Sequence, residues 1–401
     1  MILDKHPDLS GQVVSLPSSK SLSNRALMIN ALSENPSSLL NLSQARDTQL
    51  MSSLVNTPNE VIDVHDAGTA ARFLTTLFSI KGLPKTIRGT ERMHERPIGN
   101  LVDALRTLGA TIDYLDKQGF LPVAIRGFSP SGIDTLTIQG DISSQFLSAL
   151  MMIGPSLKNG LTIKMTGNVG SRPYLTMTAT LMAHFGATAT VRNDSIRVPA
   201  GRYLATEYLV EHDWSAASYW FAFVALAKKA EVFIPGLKSV SMQGDRIVVA
   251  IMSQLGVASA FSSEGLRLSK QAVDVDSITW DFSGCPDLAQ TVLPVCAALG
   301  IPGEFKGMES LRLKETDRIF ALQQELGKVG ATLTGESGYW KLTPGRSPAD
   351  FKSLSIETYH DHRMAMGFAP WSTLTRLEVE HPDVVQKSYP GFWDDLKNLQ
   401  K

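Results

Sequence analysis

Two cysteines, Cys285 and Cys296, are all that a chain of 401 residues carries. They stand in no metal-ligand or redox spacing, which leaves neither a disulfide framework nor a structural zinc site and fits a reducing compartment. Excess charge is also missing: 38 Lys and Arg face 39 Asp and Glu, for a net charge of −1. No bulk field therefore draws the chain to nucleic acid or to an anionic membrane. Nor is there a long apolar run. The uncharged stretch WSAASYWFAFVALA at 214–227 is too short to cross a bilayer and reads as a buried helix. The opening MILDKHPDLSG breaks its apolar start with Asp4, Lys5 and His6, unlike a secretory signal. The expectation is a soluble cytoplasmic protein with no nucleic-acid or membrane partner, whose anion binding, if any, is local.

What is present is length and apolar content. At 401 residues and 43% hydrophobic residues, two domains of roughly 200 residues each are expected. Two kinds of helix alternate along the chain. One is rich in small residues and nearly uncharged beyond its first turn: it begins near Lys20, Ala67, Ser143, Asp213, Asp287 and His362, the last five starts lying 70 to 76 residues apart. The other is amphipathic and ends in glycine before a strand, as in LVDALRTLGATIDY, LMAHFGATATV, IMSQLGVASAF and LQQELGKVGATLTG, which makes Gly109, Gly186, Gly256 and Gly330 the expected helix terminators. Shorter amphipathic helices are expected near Asp47 and after Pro390, and short alternating segments such as TLTIQG at 135–140 read as strands. The pattern predicts six compact α/β units, three per domain, with a break around YLVEHDW at 208–214.

Polar groups recur where the buried helices begin: Lys20 and Arg25, Arg72, Ser143 with Ser144 and Gln145, Asp213, Asp287, and His362 with Arg363. A helix aimed into a core has no packing need for charge at its start. Helix N-termini favour anions through their dipoles and free N–H groups, so the six starts predict a shared polar cleft for a multiply anionic ligand. The stretch LPSSKSLSNRAL at 16–27 has the Lys and Ser of a phosphate-binding loop without its glycines. By itself it reads first as a well-capped surface helix.

Nine segments in order, LPSSKSLSNRAL, DAGTAARFL, ERMHERPIGNLVDALRTLGA, ISSQFLSALMM, SRPYLTMT, PDLAQT, LRLKETDRI, YHDHRMAM and KSYPGFW, resemble the 5-enolpyruvylshikimate-3-phosphate synthase family nearly end to end. The resemblance implies a two-domain inside-out α/β barrel of six βαβαββ-type units, helices buried and sheets outside. Residues 1–19 with 212–401 would form one domain and 20–211 the other, with the active site in the interdomain cleft. It implies transfer of the enolpyruvyl group of phosphoenolpyruvate to the 5-hydroxyl of shikimate 3-phosphate, with release of phosphate, by a monomer that needs no metal or organic cofactor.

By the same resemblance, Lys20, Gly68, Arg72, Arg96, Gln145, Arg318, Arg363 and Lys387 would surround phosphoenolpyruvate. Lys20, Ser21, Arg25, Ser143, Ser144, Gln145, Ser171, Tyr174, Asp287 and Lys314 would hold shikimate 3-phosphate. Arginine suits bidentate contacts to carboxylate and phosphate. Glu315 would give a proton to the methylene carbon and Asp287 would accept one from the attacking hydroxyl, with Lys20 as the third catalytic group. Plainer readings stand beside these: Glu315 as a helix carboxylate paired with Arg318 at i+3, Asp287 as a helix cap, and HDH at 360–362 as alternate metal ligands. The family usually carries Gly at Ser18, Asn at Asp66, Pro at Phe73 and Asn at Ser310. Asp66 is expected to stay ionised and to pair with a cation such as Arg96. Gly68 matches a position where the family admits the inhibitor glyphosate. The rivals are a UDP-N-acetylglucosamine enolpyruvyl transferase, whose loop cysteine has no counterpart in TERMHERPIG, and a non-catalytic anion-binding protein on the same fold.

Overall fold

The computed structural model describes residues 1–139, 143–167, 170–336 and 338–400, the side chain of residue 336 excepted. The chain forms two compact units, one of Met1–Ser18 with Glu211–Lys401 and one of Ser19–Val210. The N-terminal segment joins the C-terminal half because its strand Asp8–Gln12 pairs in parallel with Lys229–Pro235, Asp8 opposite Lys229. Ile2–Leu3 likewise pairs with Arg376–Val379.

Both units are built from one motif. Residues 135–198 show it plainly: strand Thr135–Gln139, helix Ser144–Ile153, strand Leu161–Thr166, helix Arg172–His184, then strands Thr190–Val191 and Ser195–Val198. The first two strands run parallel, Leu136 opposite Ile163, and the last two close the sheet antiparallel. The same order recurs at 61–128 and at 278–343. A parallel pair needs a crossover, and the first helix of each motif supplies it. Helices starting near Asp47 and after Pro390 are present as Arg46–Leu54 and Phe392–Leu399.

The crossover helices are buried on all sides, which is why they carry no charged face. In Trp214–Leu226 every residue but Ser215 is buried, and in Gly68–Ile80 every residue but Thr69 and the terminal Ile80. Strands keep an alternating pattern, as in Leu161–Thr166, where Leu161, Ile163 and Met165 face the core. The amphipathic helices end where Gly109, Gly186, Gly256 and Gly330 take positive φ values of 115°, 81°, 86° and 75°. Gly109 is itself the capping residue, Gly186 and Gly256 follow it by one, and helix Arg318–Gly327 stops three residues before Gly330, a turn continuing between them. In the TLTIQG segment Gly140 lies outside the described residues.

Candidate active site

In the unit 19–210, helix Lys20–Leu32 is capped by Ser19, whose Oγ accepts from Leu22 N. Lys20 Nζ bonds Asp47 Oδ2 at 3.0 Å. One turn on, Arg25 is 2% exposed. Its Nε donates to Thr178 Oγ1 at 2.8 Å, Nη1 to Ser21 O at 3.0 Å and Nη2 to Ser148 Oγ at 3.0 Å. The rings of Phe73 and Tyr174 lie 5.6 and 5.9 Å from its Cζ. Burial pulls the guanidinium down to about 10, with Tyr174 opposing. Among the described residues no carboxylate pairs with it.

A second cation lies at the start of helix Gly68–Ile80. That helix begins at Ala67, which has no capping side chain. Arg96 is 7% exposed, and its guanidinium fills the space that a side chain at Gly68 would take. Its Nε has no partner, and among the described residues no acceptor or carboxylate takes the group. Arg72, one turn into the helix, donates from Nη1 to Gly68 O at 3.3 Å and from Nη2 to Pro97 O at 2.9 Å. Gln145 Nε2 donates to Thr69 Oγ1 at 3.1 Å, tying the start of helix Ser144–Ile153 to this cluster. Ser143 caps that helix through Gln145 N, and Ser171, with φ 56°, begins helix Arg172–His184, which brings Tyr174 and Thr178 beside Arg25.

Asp66 accepts two bonds from Arg46 Nη2, at 2.9 and 3.1 Å. Its partner is therefore Arg46, where the sequence suggested a cation such as Arg96. Arg46 and Asp47 open helix Arg46–Leu54, so one helix start supplies a cation to Asp66 and an anion to Lys20.

In the other unit, Arg318 is the hub. At 1% exposure it donates from Nε to Asp361 Oδ2 at 2.7 Å, from Nη1 to Asp287 Oδ1 at 2.9 Å and from Nη2 to Glu315 Oε2 at 2.9 Å. Burial alone would weaken its hold on a proton, but Asp361, Glu315 and Asp287 outweigh that and raise it. Asp287 also meets Arg363 Nη2 at 3.0 Å and Lys314 Nζ at 3.5 Å. Burial works to raise its carboxyl, yet Arg363, Lys314 and Arg318 hold it well below the usual carboxylate range. Arg363 Nη1 lies 3.3 Å from Tyr219 Oη. Lys387 is buried in the turn Pro382–Lys387.

The i+3 pairing of Glu315 with Arg318 is thus real, but its arginine is buried and shared with two more carboxylates, unlike a solvated surface pair. Helix Ala289–Leu299 follows the turn Pro286–Leu288, and Asp287 makes its side-chain contacts with cations. Asp361 caps helix His362–Phe368 through Arg363 N at 2.9 Å. Among the described residues no group of three or more His, Cys, Asp or Glu is placed to hold a metal, His360–His362 included. No helix among them is long and apolar enough to cross a membrane.

Sequence reasoning missed Asp361, Asp47, Arg46, Ser148, Thr178 and Tyr219. The serine and threonine stand inside apolar helices, where a hydroxyl looks like a packing residue. Asp47 carried a signal as an acid in the first turn of an expected helix, and Asp361 stood in the HDH segment, where it was weighed as part of a metal site.

The EPSP synthase family, described as 3-phosphoshikimate 1-carboxyvinyltransferase, matches residues 3–57 and 52–396. A 3-phosphoshikimate 1-carboxyvinyltransferase of Bacteroides fragilis is 46% identical over 386 residues, covering 96% of this chain and 94% of that one. Those of Idiomarina loihiensis and Methanospirillum hungatei are each 33% identical, over 420 and 416 residues, with 96% of this chain covered. A solved EPSP synthase from Acinetobacter baumannii shares the fold with a TM-score of 0.77 at 19% identity, covering 99% of this chain and 97% of that one. With the match running through both units and through every charged cluster described above, this chain belongs to the EPSP synthase family.

Proposed function

We propose that this enzyme transfers the enolpyruvyl group of phosphoenolpyruvate to the 5-hydroxyl of shikimate 3-phosphate, in the shikimate pathway to the aromatic amino acids. The observation that carries the residue assignment is the pair of buried guanidinium groups, Arg25 and Arg96, that no carboxylate neutralises among the described residues. A buried unpaired charge costs several kcal/mol, on the order of 3 to 5 when a partner is taken away. An anionic ligand that meets it recovers that cost.

Arg25, with Ser21, Ser143, Ser144, Gln145, Ser171 and Tyr174, is assigned to shikimate 3-phosphate, Arg25 to its carboxylate. Arg96, Arg72 and Lys20 are assigned to phosphoenolpyruvate, beside the Gly68 helix start. Of the other unit, Arg318, Arg363 and Lys387 are assigned to phosphoenolpyruvate, and Asp287 and Lys314 to shikimate 3-phosphate.

The 5-hydroxyl O–H bond breaks, its proton passing to Asp287 while the oxygen bonds C2 of phosphoenolpyruvate. The C2–C3 π pair takes a proton from Glu315 at C3, giving a tetrahedral phospho-lactoyl adduct. The C2–O bond to phosphate then breaks as C3 returns its proton to Glu315. The double bond reforms, and the proton on Asp287 leaves with the phosphate. Three cations on Asp287 make it a weak base before substrates bind. Anionic groups that draw on those cations raise its basicity when a base is needed. The surrounding cations stabilise the charge on the departing phosphate.

Phosphate release from phosphoenolpyruvate is the test, with shikimate 3-phosphate or UDP-N-acetylglucosamine supplied in turn. Release with the first acceptor alone is expected. Release with the second, or with neither, would sink the proposal.

A further inference from the structure

Glu325 is a fully buried carboxylate that takes no part in the chemistry proposed above. It lies seven residues beyond Arg318 on helix Arg318–Gly327, so the two side chains leave the same face, two turns and about 10 Å apart. Its Oε1 accepts from Tyr359 Oη at 2.9 Å, and its Oε2 from Lys328 Nζ at 2.7 Å and from Glu357 N at 3.2 Å. With Lys328 alone it would be an ordinary i+3 pair on a helix surface. Two of the three bonds instead reach the segment that leads into helix His362–Phe368.

That segment is tied to one helix at both ends. At the near end are the bonds of Glu357 and Tyr359 to Glu325; at the far end Asp361 accepts from Arg318 Nε at 2.7 Å and from Nη2 at 3.2 Å. Asp361 also accepts from Arg363 N at 2.9 Å and so sets the start of the helix that carries Arg363. Between the two ties, Tyr359 and His360 take positive φ values of 52° and 54°. Left-handed backbone is costly for a residue with a side chain, and two such residues in succession persist only where surrounding contacts impose them. Those contacts are present. The Tyr359 ring meets Phe320 of the same helix edge to face, with centres 6.2 Å apart, and the His360 ring lies 4.9 Å from that of His381. Asp361 N closes the turn by donating to Thr358 O at 2.8 Å. Glycine at 359 would take this backbone without a steric penalty, but it would leave Glu325 Oε1 unmet.

We propose that Glu325 is a positioning residue for the enolpyruvyl transfer: by its bond to Tyr359 it holds the left-handed turn Tyr359–His360, and through that turn it sets Asp361 against Arg318 and aims Arg363. The inference rests on the assignment of Arg318 and Arg363 to phosphoenolpyruvate. Without the bond the turn is free to relax toward ordinary φ, and Asp361 moves with it. Both arginines then lose the alignment that a charge-assisted contact to the incoming anion needs.

The test is steady-state phosphate release in Tyr359→Phe, Glu325→Gln, Arg363→Gln and the double variant Tyr359→Phe with His360→Gly, each assayed well below its melting temperature. Tyr359→Phe should raise the KM for phosphoenolpyruvate on the order of tenfold. The KM for shikimate 3-phosphate should stay within about twofold, because most of the contacts assigned to that substrate lie in the unit 19–210; Glu325→Gln should act in the same direction. Adding His360→Gly to Tyr359→Phe removes the steric penalty at one of the two left-handed positions and should bring the KM back by about threefold or more. A merely structural role would lower the melting temperature without separating the two substrates, and a further glycine would not repair it. A native KM for phosphoenolpyruvate in Tyr359→Phe, or equal losses for both substrates, with Arg363→Gln impaired for phosphoenolpyruvate, would overturn the role of Glu325 alone. Absence of recovery in the double variant would overturn the route through the turn. An unchanged KM for phosphoenolpyruvate in Arg363→Gln would overturn the assignment beneath it. If Glu325→Gln does not fold, Tyr359→Phe decides, since it takes one oxygen from a half-buried ring.

Discussion

A methyl group at residue 68 tests the Arg96 site most sharply. A Cβ built on Gly68 would stand 2.7 Å from both Nη1 and Nη2 of Arg96 and 2.9 Å from Cζ. Ordinary contact begins at 3.4 Å, so the guanidinium must recede by about 0.7 Å. The obstacle is the far end of a flexible side chain, and Gly68 has no positive φ, so the fold should survive with a change below about 1 kcal/mol, within the range of a Gly-to-Ala propensity gain. The ligand cannot follow the arginine without leaving its other contacts. A charge-assisted bond of about 2.8 Å lengthened to about 3.5 Å is no longer a good hydrogen bond. Hydrogen bonds to charged groups contribute about 1.5 to 3 kcal/mol, which converts to roughly 10- to 150-fold in affinity. Steady-state phosphate release in Gly68→Ala should therefore show the KM for phosphoenolpyruvate up by at least about tenfold. The KM for shikimate 3-phosphate and the melting temperature should stay close to native. A phosphoenolpyruvate KM within twofold of native, or equal losses for both substrates, would refute the claim that Arg96 across Gly68 serves the phosphoenolpyruvate anion.

Four further outcomes are expected. Arg25→Gln should raise the KM for shikimate 3-phosphate by roughly 10- to 100-fold, while denaturant unfolding shows stability unchanged or higher, because a buried cation without a carboxylate is removed. Asp361→Asn should cost about 3 to 5 kcal/mol in the same assay, since it takes a partner from the fully buried Arg318. Asp245 has a folded-state value raised from 3.8 to about 6, so its ionised form burdens the native state above that pH and imposes nothing below 3.8; Asp245→Asn should add up to about 3 kcal/mol of stability at pH 7.5 and almost none at pH 3.5, and an equal gain at both would argue against a buried titrating carboxylate. Exhaustive chelation should leave turnover intact, and loss restored by added metal would overturn the metal-free mechanism.

Local pattern carried the helices far better than the sheets. The Trp214 helix was legible because fourteen uncharged residues in a row leave no exposed face, and the Leu101 helix because its apolar period ends at a glycine. Strand partners were not legible. Nothing in the sequence of Asp8–Gln12 says that it pairs with Lys229–Pro235, since strand alternation specifies which side chains face the core and never which strand lies alongside. The same holds for Leu39–Leu40 beside Tyr208–Leu209. Cations at helix starts were visible in sequence, and so was Glu315 as the i+3 partner of Arg318; the distant partners were not, because Asp361 is 43 positions from Arg318 and Asp47 is 27 from Lys20. Asp245 was the hardest to see. In SMQGDRI it has the look of a solvated turn acid, and only the packing of that turn against the Trp214 helix buries it.

The two units hold their arginines in opposite electrostatic states, and the difference bears on how each unit contributes. In 19–210, Arg25 leans on hydroxyls and a carbonyl, and Arg96 on no polar group among the described residues; neither meets a carboxylate there. An anion arriving at Arg25 or Arg96 gains a charge-assisted bond and displaces no carboxylate among the described residues, whereas one that reaches Lys20 must share it with Asp47. In the other unit Arg318 is already satisfied by Asp361, Glu315 and Asp287, and Arg363 by Asp287. An anion there must compete with protein carboxylates, so much of its binding energy is spent loosening them. What it loosens is the pair of groups assigned to move protons. Asp287, held as a stabilised anion by Arg363, Lys314 and Arg318, regains proton affinity as substrate anions take over those cations. On the proposed assignment, interaction energy at Arg25 and Arg96 would serve capture, and at Arg318 and Arg363 it would be converted into basicity of Asp287 once the substrate anions are in place.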